Sequence, residues 1–426
     1  MVVVAPFRGI LYNKEKVGKL DDVMSPPYDI ISPEMQEELY RKHEYNVVRL
    51  ILGKKYPDDN ESNNCYTRAK EHFEKWLREG ILVESDKPAI YPYKVEYDFN
   101  GKKTMKGFFI LLKLDHDYNE VKAHERTLSK PKKDRLNLMK TTRANLEPIE
   151  LLYIDEQDEI QKKIDECIGD PLIDVVGYDG FRHRLWKIDD EQLISFIQNK
   201  LRDEILYIAD GHHRYQTAID FANEIGAKEN DPENYIMVVL ANMLDEGLSI
   251  LPTHRLIKSD ISIEELIEKC KEYFDIEELT LDRGFSPEEA AKQISDAIKA
   301  KDEHKFAIYH NERCCVLTLK DESVMDSLAP DHSKTWRTLD VSILHKIVIE
   351  KIMGIREHDL EEHVKYTRDA KEAIDAVNKG KFNMSFILNP TKIEELKDIA
   401  SYGEHMPQKS TYFLPKLLSG LVMRRF

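Results

Sequence analysis

The sequence predicts an α/β protein with two domains, and three observations carry this prediction. Segments with the apolar period of strands alternate with segments that have the period of helices along the 426 residues. A buried-strand pattern at residues 205–209 leads directly into Asp210-Gly211-His212-His213-Arg214 and an amphipathic helix. The alternation restarts near residue 259, so we expect a first domain of residues 1–257 and a second of residues 258–426.

Local signals predict the elements of the first domain in turn. Ser25-Pro26-Pro27-Tyr28-Asp29 is a rigid turn, because each proline fixes its own φ and restricts the preceding residue. Ser32 and Pro33 have the types of an N-cap and a first helical residue. Asn100-Gly101 is a strong hairpin signal. These and the apolar patterns predict strands at 1–8, 46–52, 89–99, 107–114, 149–154, 205–209 and 235–242, and helices at 33–42, 66–79, 192–200 and from 212 onwards.

The second domain repeats the alternation. The same patterns predict helices at 263–273, 287–300 and 342–353, and strands at 306–309, 315–319 and 384–388. Residues 406–416 are polar and aromatic, and we expect this tail to fold back towards the functional site.

Composition excludes several classes of protein. Hydrophobic residues make up 41% and charged residues 33%, and no apolar run reaches the roughly 20 residues that cross a bilayer. The N-terminus lacks the pattern of a signal peptide, so we expect a cytoplasmic protein without a membrane partner. A net charge of −16 argues against a nucleic-acid partner. The oligomeric state is left open.

The polar cluster at residues 210–214 is the strongest functional signal. A helix start exposes unpaired backbone N–H groups that attract anions, and Gly211 lets the backbone approach a ligand. Arg214 offers a planar fork for phosphate oxygens, and His212 and His213 are able to donate hydrogen bonds or exchange protons. The alternative is that Asp210 is an N-cap and that its neighbours form a solvated helix end.

A basic segment stands out against the acidic background. Residues 122–143 carry a net charge of +6 and mix hydroxyl, imidazole and carboxylate groups among the cations. Polyphosphate or a phosphorylated metabolite is the natural partner of such a mixture, although a solvated helix face has the same pattern. Glu125 is suited to taking a proton, or else forms a structural ion pair. The predicted phosphate ligands here, together with one residue after the 235–242 strand, are His124, Arg126, Thr127, Lys130, Lys132 and Arg255.

Four motifs carry a resemblance to known families. Residues 25–29, 124–127, 210–215 and 409–413 together resemble a prokaryotic family of unknown function over nearly the whole chain. More distantly, residues 210–214 are similar to the nucleotide-phosphate motif of the ParB/sulfiredoxin superfamily, and most closely to its free-serine kinases. This resemblance implies a ParB/sulfiredoxin-like nucleotide-binding core, phosphate bound at the helix start and an acidic residue in catalysis. It also implies a separate glutamate base, and Glu125 is assigned to that role by its chemistry rather than by alignment.

The sequence therefore predicts a nucleotide-dependent phosphotransferase that acts on a small hydroxyl metabolite such as free serine, with ATP or ADP and Mg²⁺ as cofactors. Asp210, Glu125, His212 and His213 are the predicted catalytic residues. No residues are assigned as protein ligands of a metal, since adjacent histidines at a helix start point in different directions. Two alternatives stay open: a phosphatase acting on phosphoserine or a similar compound, and a nucleotide-gated ParB-like regulator.

Overall fold

The computed structural model describes residues 1–125, 127, 129–281, 284, 286–300 and 303–426. They fall into two compact units. Unit 1 comprises Met1–Ala123, Thr127–Ser249 and Pro415–Phe426, and unit 2 comprises His124–Arg126 and Ile250–Leu414. The division after Ser249 lies upstream of the boundary expected at residue 257, and the last segment of the chain belongs to unit 1.

The first part of unit 1 is built as the local signals predict, with one exception given below. Ser32 Oγ accepts from the Met35 N–H and so caps a helix that has Pro33 in its first turn. Asn100 and Gly101 have φ values of 55° and 113°, which is the left-handed geometry of the predicted hairpin turn. The elements here are β1 (Val4–Ala5), β2 (Ile10–Tyr12), α1 (Lys14–Val17), α2 (Pro33–Lys42), α3 (Val48–Ile51), α4 (Cys65–Arg78), β3 (Leu82–Glu84), β4 (Tyr91–Asp98), β5 (Lys102–Lys113) and β6 (Val121–Lys122).

The strand predicted at residues 46–52 is wrong. Val48–Ile51 form the short helix α3, and Asn46 Oδ1 accepts from the Val48 N–H at its start. The same Asn46 side chain donates to the carbonyls of Asp22 and Met24. Val48, Leu50 and Ile51 are all buried, so the segment shows no face that would separate helix from strand by periodicity.

The middle of the chain completes the main sheet of unit 1. Its elements are α5 (Ser129–Thr142), β7 (Ala144–Asn145), β8 (Ile149–Tyr153), α6 (Glu159–Cys167), β9 (Ile173–Val176), β10 (Arg182–Leu185), α7 (Glu191–Leu201), β11 (Leu206–Asp210), α8 (His212–Ile225), β12 (Tyr235–Asn242) and β13 (Ser249–Ile250). Among the described residues, nine strands form one mixed sheet in the order β6-β11-β8-β12-β5-β4-β10-β9, with β1 paired to β5.

The motif at residues 210–214 follows strand β11, which lies next to the edge strand β6 of this sheet. Strand β11 pairs in parallel with β6 and antiparallel with β8, while β8 pairs in parallel with β12. Helix α8 packs its Tyr215, Ala218, Ile219 and Ala222 stripe into the main core, as predicted. The strand, turn and helix of the motif are therefore confirmed.

Unit 2 has its own six-stranded sheet, antiparallel throughout, in the order β15-β17-β16-β19-β14-β18 within the described residues. Helices α10 and α15 cover it through a core that includes Ala290, Ile294, Ile374 and Val377. The elements are β14 (His254–Ile257), α9 (Ile263–Cys270), β15 (Phe274–Leu279), α10 (Pro287–Ile298), β16 (Lys305–His310), β17 (Arg313–Leu319), α11 (Val324–Leu328), α12 (Lys334–Arg337), α13 (Asp340–Ile343), a π-helix (Leu344–Ile352), α14 (Leu360–His363), β18 (Val364–Thr367), α15 (Ala370–Asn378), β19 (Met384–Ile387), α16 (Ile393–Ser401) and β20 (Phe413–Leu414). Strand β21 (Arg424–Arg425) then pairs with β7 in unit 1. The chain is thus a mixed α/β protein with a second α/β unit. In the part of the chain that the structure describes, no helix has the length and apolar character to span a membrane.

Candidate functional site

The site in unit 1 is centred on the junction between β11 and α8. Asp210 is the last residue of the strand, and Gly211 follows in the left-handed region with φ of 95°. Gly211, and not Asp210, is the N-cap of α8, so the alternative of Asp210 as an N-cap is wrong. The φ of Gly211 favours glycine, and a Cβ atom there would lie 3.1 Å from Arg214 Nε, so the arginine side chain would have to shift.

Asp210 is held between two cations. Arg214 Nη2 lies 2.6 Å from Asp210 Oδ2, and Lys416 Nζ contacts Asp210 Oδ1. The arginine and lysine side chains are 11% and 7% exposed, so the three charges are shielded from water. Burial opposes ionisation of Asp210, but Lys416 and Arg214 together hold its pKa well below the usual range. Asp210 is consequently an ionised, acceptor-only group at neutral pH.

A second carboxyl group lies on the neighbouring strand. Glu150 of β8 is directly opposite Asp210 in the strand register and is fully buried. Within the described ranges, neither of its carboxyl oxygens has a hydrogen-bond partner. Burial raises the pKa of Glu150 to about 8, Lys416 opposes this shift and Asp210 adds to it. Glu150 therefore keeps its proton at neutral pH while Asp210 is charged.

A buried polar network connects the motif to the proline-rich turn. Glu147 Oε1 accepts from the Tyr28 N–H at 3.0 Å and from Ser419 Oγ at 3.1 Å. Arg135 Nη1 lies 3.5 Å from Glu147 Oε2, and its guanidinium stacks 3.9 Å from the centre of the Tyr28 ring. Arg214 lowers the pKa of the same Glu147, although burial has the larger, raising effect. The turn at 25–29, helix α5 and the C-terminal segment thus meet beside the motif.

The predicted histidines lie at the start of α8. His212 is 5% exposed, and its imidazole is near enough to add to the lowering of the Asp210 pKa. His213 is half-buried. Their predicted catalytic roles stay predictions.

The basic segment largely forms ion pairs within unit 1. Lys132 Nζ lies 3.9 Å from Asp220 Oδ2 of α8, and Lys140 Nζ lies 2.5 Å from Glu224 Oε2. Arg143 contacts Glu233. Thr127 is half-buried in the same unit. Arg126 and the side chain of Lys130 lie outside the described residues, so the predicted phosphate contacts of this segment stay predictions.

Three further predicted site residues, His124, Glu125 and Arg255, belong to unit 2. Residues 409–411 of the same unit contact all three. His124 Nε2 is 2.9 Å from Thr411 Oγ1, and Glu125 Oε1 accepts from the Lys409 N–H at 3.5 Å. Arg255 Nη2 donates to the Lys409 carbonyl at 3.2 Å. The motif at 409–413 and the motif at 124–127 therefore meet within unit 2. The roles of His124, Glu125 and Arg255 in catalysis or phosphate binding stay predictions.

Sequence reasoning missed four residues that the structure brings to the Asp210 motif, namely Arg135, Glu147, Glu150 and Lys416. Glu150 alone left a local signal, since a carboxylate interrupts an otherwise apolar strand. Arg135 lies in the basic segment and Lys416 at the end of the 406–416 tail, but neither was assigned as a site residue, and Glu147 has ordinary surroundings in the sequence. In the described part of the chain, no group of three or more histidine, cysteine or acidic residues is arranged to hold a metal ion.

The chain is similar at a low level to solved structures, which include the following three. A free serine kinase in complex with AMP is 16% identical with a TM-score of 0.35, and the match covers 72% of this chain and 87% of the kinase. A conserved hypothetical protein from Pyrococcus furiosus is 15% identical with a TM-score of 0.34, covering 72% and 90%. C-terminally truncated SbnI from Staphylococcus aureus is 12% identical with a TM-score of 0.33, covering 71% and 83%. Likeness at this level does not assign an activity.

Sequence comparison gives a clearer result at the level of the family. No curated protein matches the chain. The sequence model of a family described as "Protein of unknown function (DUF1015)" matches residues 4–342, which is most of the chain. The chain belongs to this family, so the family resemblance carried by the motifs is confirmed.

Proposed function

We propose that this member of a family of unknown function is a nucleotide-dependent phosphotransferase that acts on a small hydroxyl compound, with free serine as the first acceptor to test. The observation that carries the proposal is the ionised Asp210, bound by Arg214 and Lys416 directly before a left-handed glycine and a helix start. Phosphoryl transfer requires cations that bind the phosphate groups and a residue, here the Asp210 carboxylate, that orients the attacking hydroxyl.

The residues at this junction fit an anionic ligand. The N-cap of α8 is Gly211, which carries no capping side chain and presents backbone without a Cβ atom at the start of the helix. The Arg214 Nε–H has no hydrogen-bond partner among the described residues, although its Nη1 donates to the Pro148 carbonyl and its Nη2 to Asp210. A bound ATP or ADP would supply the phosphoryl chemistry. Gly211, Arg214 and the start of α8 would hold its phosphates.

Asp210 is better suited to orienting than to taking a proton. Because two cations keep its pKa low, it accepts hydrogen bonds from them or from an acceptor hydroxyl, and it is a weak base. We assign the role of base to Glu125, as its chemistry predicts. Mg²⁺ in such sites is usually held by substrate phosphates and one or two carboxylates, so the proposal requires no preformed metal cluster.

The test is a transfer assay on the purified full-length chain. ATP and ADP are each supplied with a panel of hydroxylated amino acids that includes serine, and the reverse reaction is run with phosphoserine, with and without Mg²⁺. Transfer to at least one acceptor is expected, with phosphorus NMR or mass spectrometry detecting the phosphorylated product.

Other outcomes point to the two alternatives. Release of inorganic phosphate from phosphoserine without transfer would make the protein a phosphatase, with His212 or His213 as proton donor. Nucleotide binding with neither transfer nor hydrolysis would favour the regulator. The absence of binding by any nucleoside di- or triphosphate at millimolar concentration would overturn the kinase proposal.

A further inference from the structure

Unit 2 contains a polar cavity that the proposed function does not use. Its volume is about 370 Å³, and every residue that lines it belongs to unit 2. That volume lies in the range of small-molecule sites. The lining includes the cations Arg255, Lys334 and Lys392, which come from β14, α12 and the residue that precedes α16.

Among the described residues, Arg255 is a buried cation without an acidic partner. It is 1% exposed, and its contacts among the described residues are neutral groups. Its guanidinium donates to the Thr253 carbonyl, to the carbonyls of Gln408 and Lys409 at 3.4 and 3.2 Å, and to His345 Nε2 at 3.3 Å. These contacts use four of the five N–H groups of an arginine. Buried charges in proteins are normally paired, so this one calls for an anion.

The acidic residues of the cavity are already engaged. His304 lies 2.8 Å from Asp340 and 3.4 Å from Glu322. Glu303 pairs with Lys305 at 2.6 Å. Glu395 accepts from the Lys392 backbone N–H at 2.8 Å, and burial raises its pKa. None of these acids reaches Arg255.

The cavity lining also contains two lysines. Lys334 and Lys392 are exposed, and in the described part of the chain neither ammonium group makes an ion pair. The cavity therefore places the buried Arg255 guanidinium and two exposed ammonium groups beside acids of which Asp340, Glu322 and Glu303 pair with His304 or Lys305, while Lys392 also lowers the pKa of Glu395.

We infer that unit 2 carries a binding site of its own for a small anionic metabolite, a compound with a phosphate or carboxylate group, recognised by Arg255 together with Lys334 and Lys392. Arg255 is also one of the phosphate ligands predicted from the sequence, but this inference does not depend on the phosphotransferase proposal, because it uses no residue of the Asp210 motif. Phosphate and carboxylate share the chemistry of recognition by a guanidinium fork and ammonium groups. The test distinguishes them.

The experiment measures the binding of two probes, inorganic phosphate and malonate, by calorimetry and by the shift of the thermal midpoint at constant ionic strength. Saturable binding of at least one probe to the wild-type chain is expected. Lys334→Gln and Lys392→Gln should each weaken it by at least about fivefold, since a hydrogen bond to a charged group is lost. Lys397→Gln is the matched control, because Lys397 is exposed on the same helix α16 but does not line the cavity.

The lysine variants keep the test decisive even though Arg255 is buried. Arg255→Lys retains the positive charge but loses the planar guanidinium group. Its binding data are used if its unfolding transition matches that of the wild type. Phosphate bound at the Asp210 motif would be unaffected by Lys334→Gln and Lys392→Gln, so only the lysine-dependent binding counts. Equal affinity in the wild type and both lysine variants, or no saturable binding of either probe, would overturn the inference.

Discussion

Two carboxyl groups on neighbouring strands of unit 1 have opposite protonation states. Asp210 is charged because two cations bind it, and Glu150 is neutral because it is buried and no described group donates to it. If both were charged, they would repel each other in a region from which water is excluded. Of these two carboxyl groups, only Asp210 is therefore negatively charged at neutral pH.

The first prediction concerns the pH dependence that Glu150 imposes on stability. The folded state holds its proton up to a pKa of about 8, whereas the unfolded chain releases it near 4.5. Unfolding is therefore favoured increasingly as pH rises between these values, by at most about 1.4 kcal/mol per pH unit. Glu150→Gln cannot ionise, so its free energy of unfolding should exceed that of the wild type by a margin that grows from pH 5 to pH 8.

Urea denaturation at four pH values in that range measures this margin. Glu166→Gln, an exposed substitution on α6, is the control and should track the wild type. A difference between Glu150→Gln and the wild type that does not change with pH would show that Glu150 is ionised in the fold.

Asp210→Asn separates catalysis from binding. The amide keeps the shape of the side chain but removes the charge that Arg214 and Lys416 neutralise. We expect turnover in phosphate transfer to fall by at least about 10²-fold with little change in nucleotide affinity, because a group that orients the acceptor acts mainly in the transition state.

Two further measurements accompany this variant. Asp203→Asn, at an exposed position before β11, should have wild-type kinetics. Thermal unfolding of Asp210→Asn fixes an assay temperature at which it is folded, since two buried cations lose their partner. Full activity in the folded variant would remove Asp210 from the mechanism.

At the scale of elements, the sequence predicted the helices and strands whose determinants lie close together in the chain, and it failed where the determinants are distant. The β11, Gly211 and α8 sequence was predictable because the strand pattern, the glycine and the helical stripe are contiguous. Helix α3 was not, because Asn46 bonds to carbonyls more than 20 residues away and every apolar side chain is buried. Glu147 was missed for the same reason, and Lys416 was not assigned to the site although it lies in the tail expected to fold towards it.

The turn before α8 gives the next prediction. Gly211→Ala would place a Cβ atom against Arg214 at a φ of 95°, and we expect it to lower the free energy of unfolding by about 1 to 3 kcal/mol and to weaken nucleotide binding. Gly226→Ala at the other end of α8 is the matched control. Its φ is 67°, but nothing lies within 4 Å of the added atom, so it should cost about 1 kcal/mol and leave binding unchanged. Equal nucleotide affinities in both variants would separate Gly211 from the ligand site.

Helix α5 offers a test of the basic segment. Lys132 lies 3.9 Å from Asp220, a long contact at a partly exposed position that leaves the ammonium group able to bind phosphate. Lys132→Ala should raise the KM for the phosphorylated substrate and reduce the salt dependence of binding. Lys140→Ala is the control, because Lys140 is tied to Glu224 at 2.5 Å. Unchanged kinetics in Lys132→Ala would assign the segment to a solvated face.

At the scale of the whole molecule, the chain ends by returning to unit 1. The Ser419 and Ser25 backbones bond to each other in both directions, as do those of Met423 and Ile10. Leu421, Val422 and Met423 are buried, and β21 pairs with β7. Unit 1 is therefore not complete until its last residues are in place, and the cation that faces Asp210 across the site is part of this returning segment.

The last prediction separates this structural role from the role of Lys416 in the site. Lys416→Gln leaves the apolar anchors of the segment intact and removes one of the two cations on Asp210, which should lower the free energy of unfolding by about 3 kcal/mol. Because Lys416 helps to depress the pKa of Asp210, the loss should be largest above pH 5 and shrink as pH falls through the acid range. Arg425→Gln, at an exposed pair with Glu84, should change stability by less than about 0.5 kcal/mol. Equal unfolding free energies for the two variants across this pH range would mean that the contact between Lys416 and Asp210 does not stabilise the folded state.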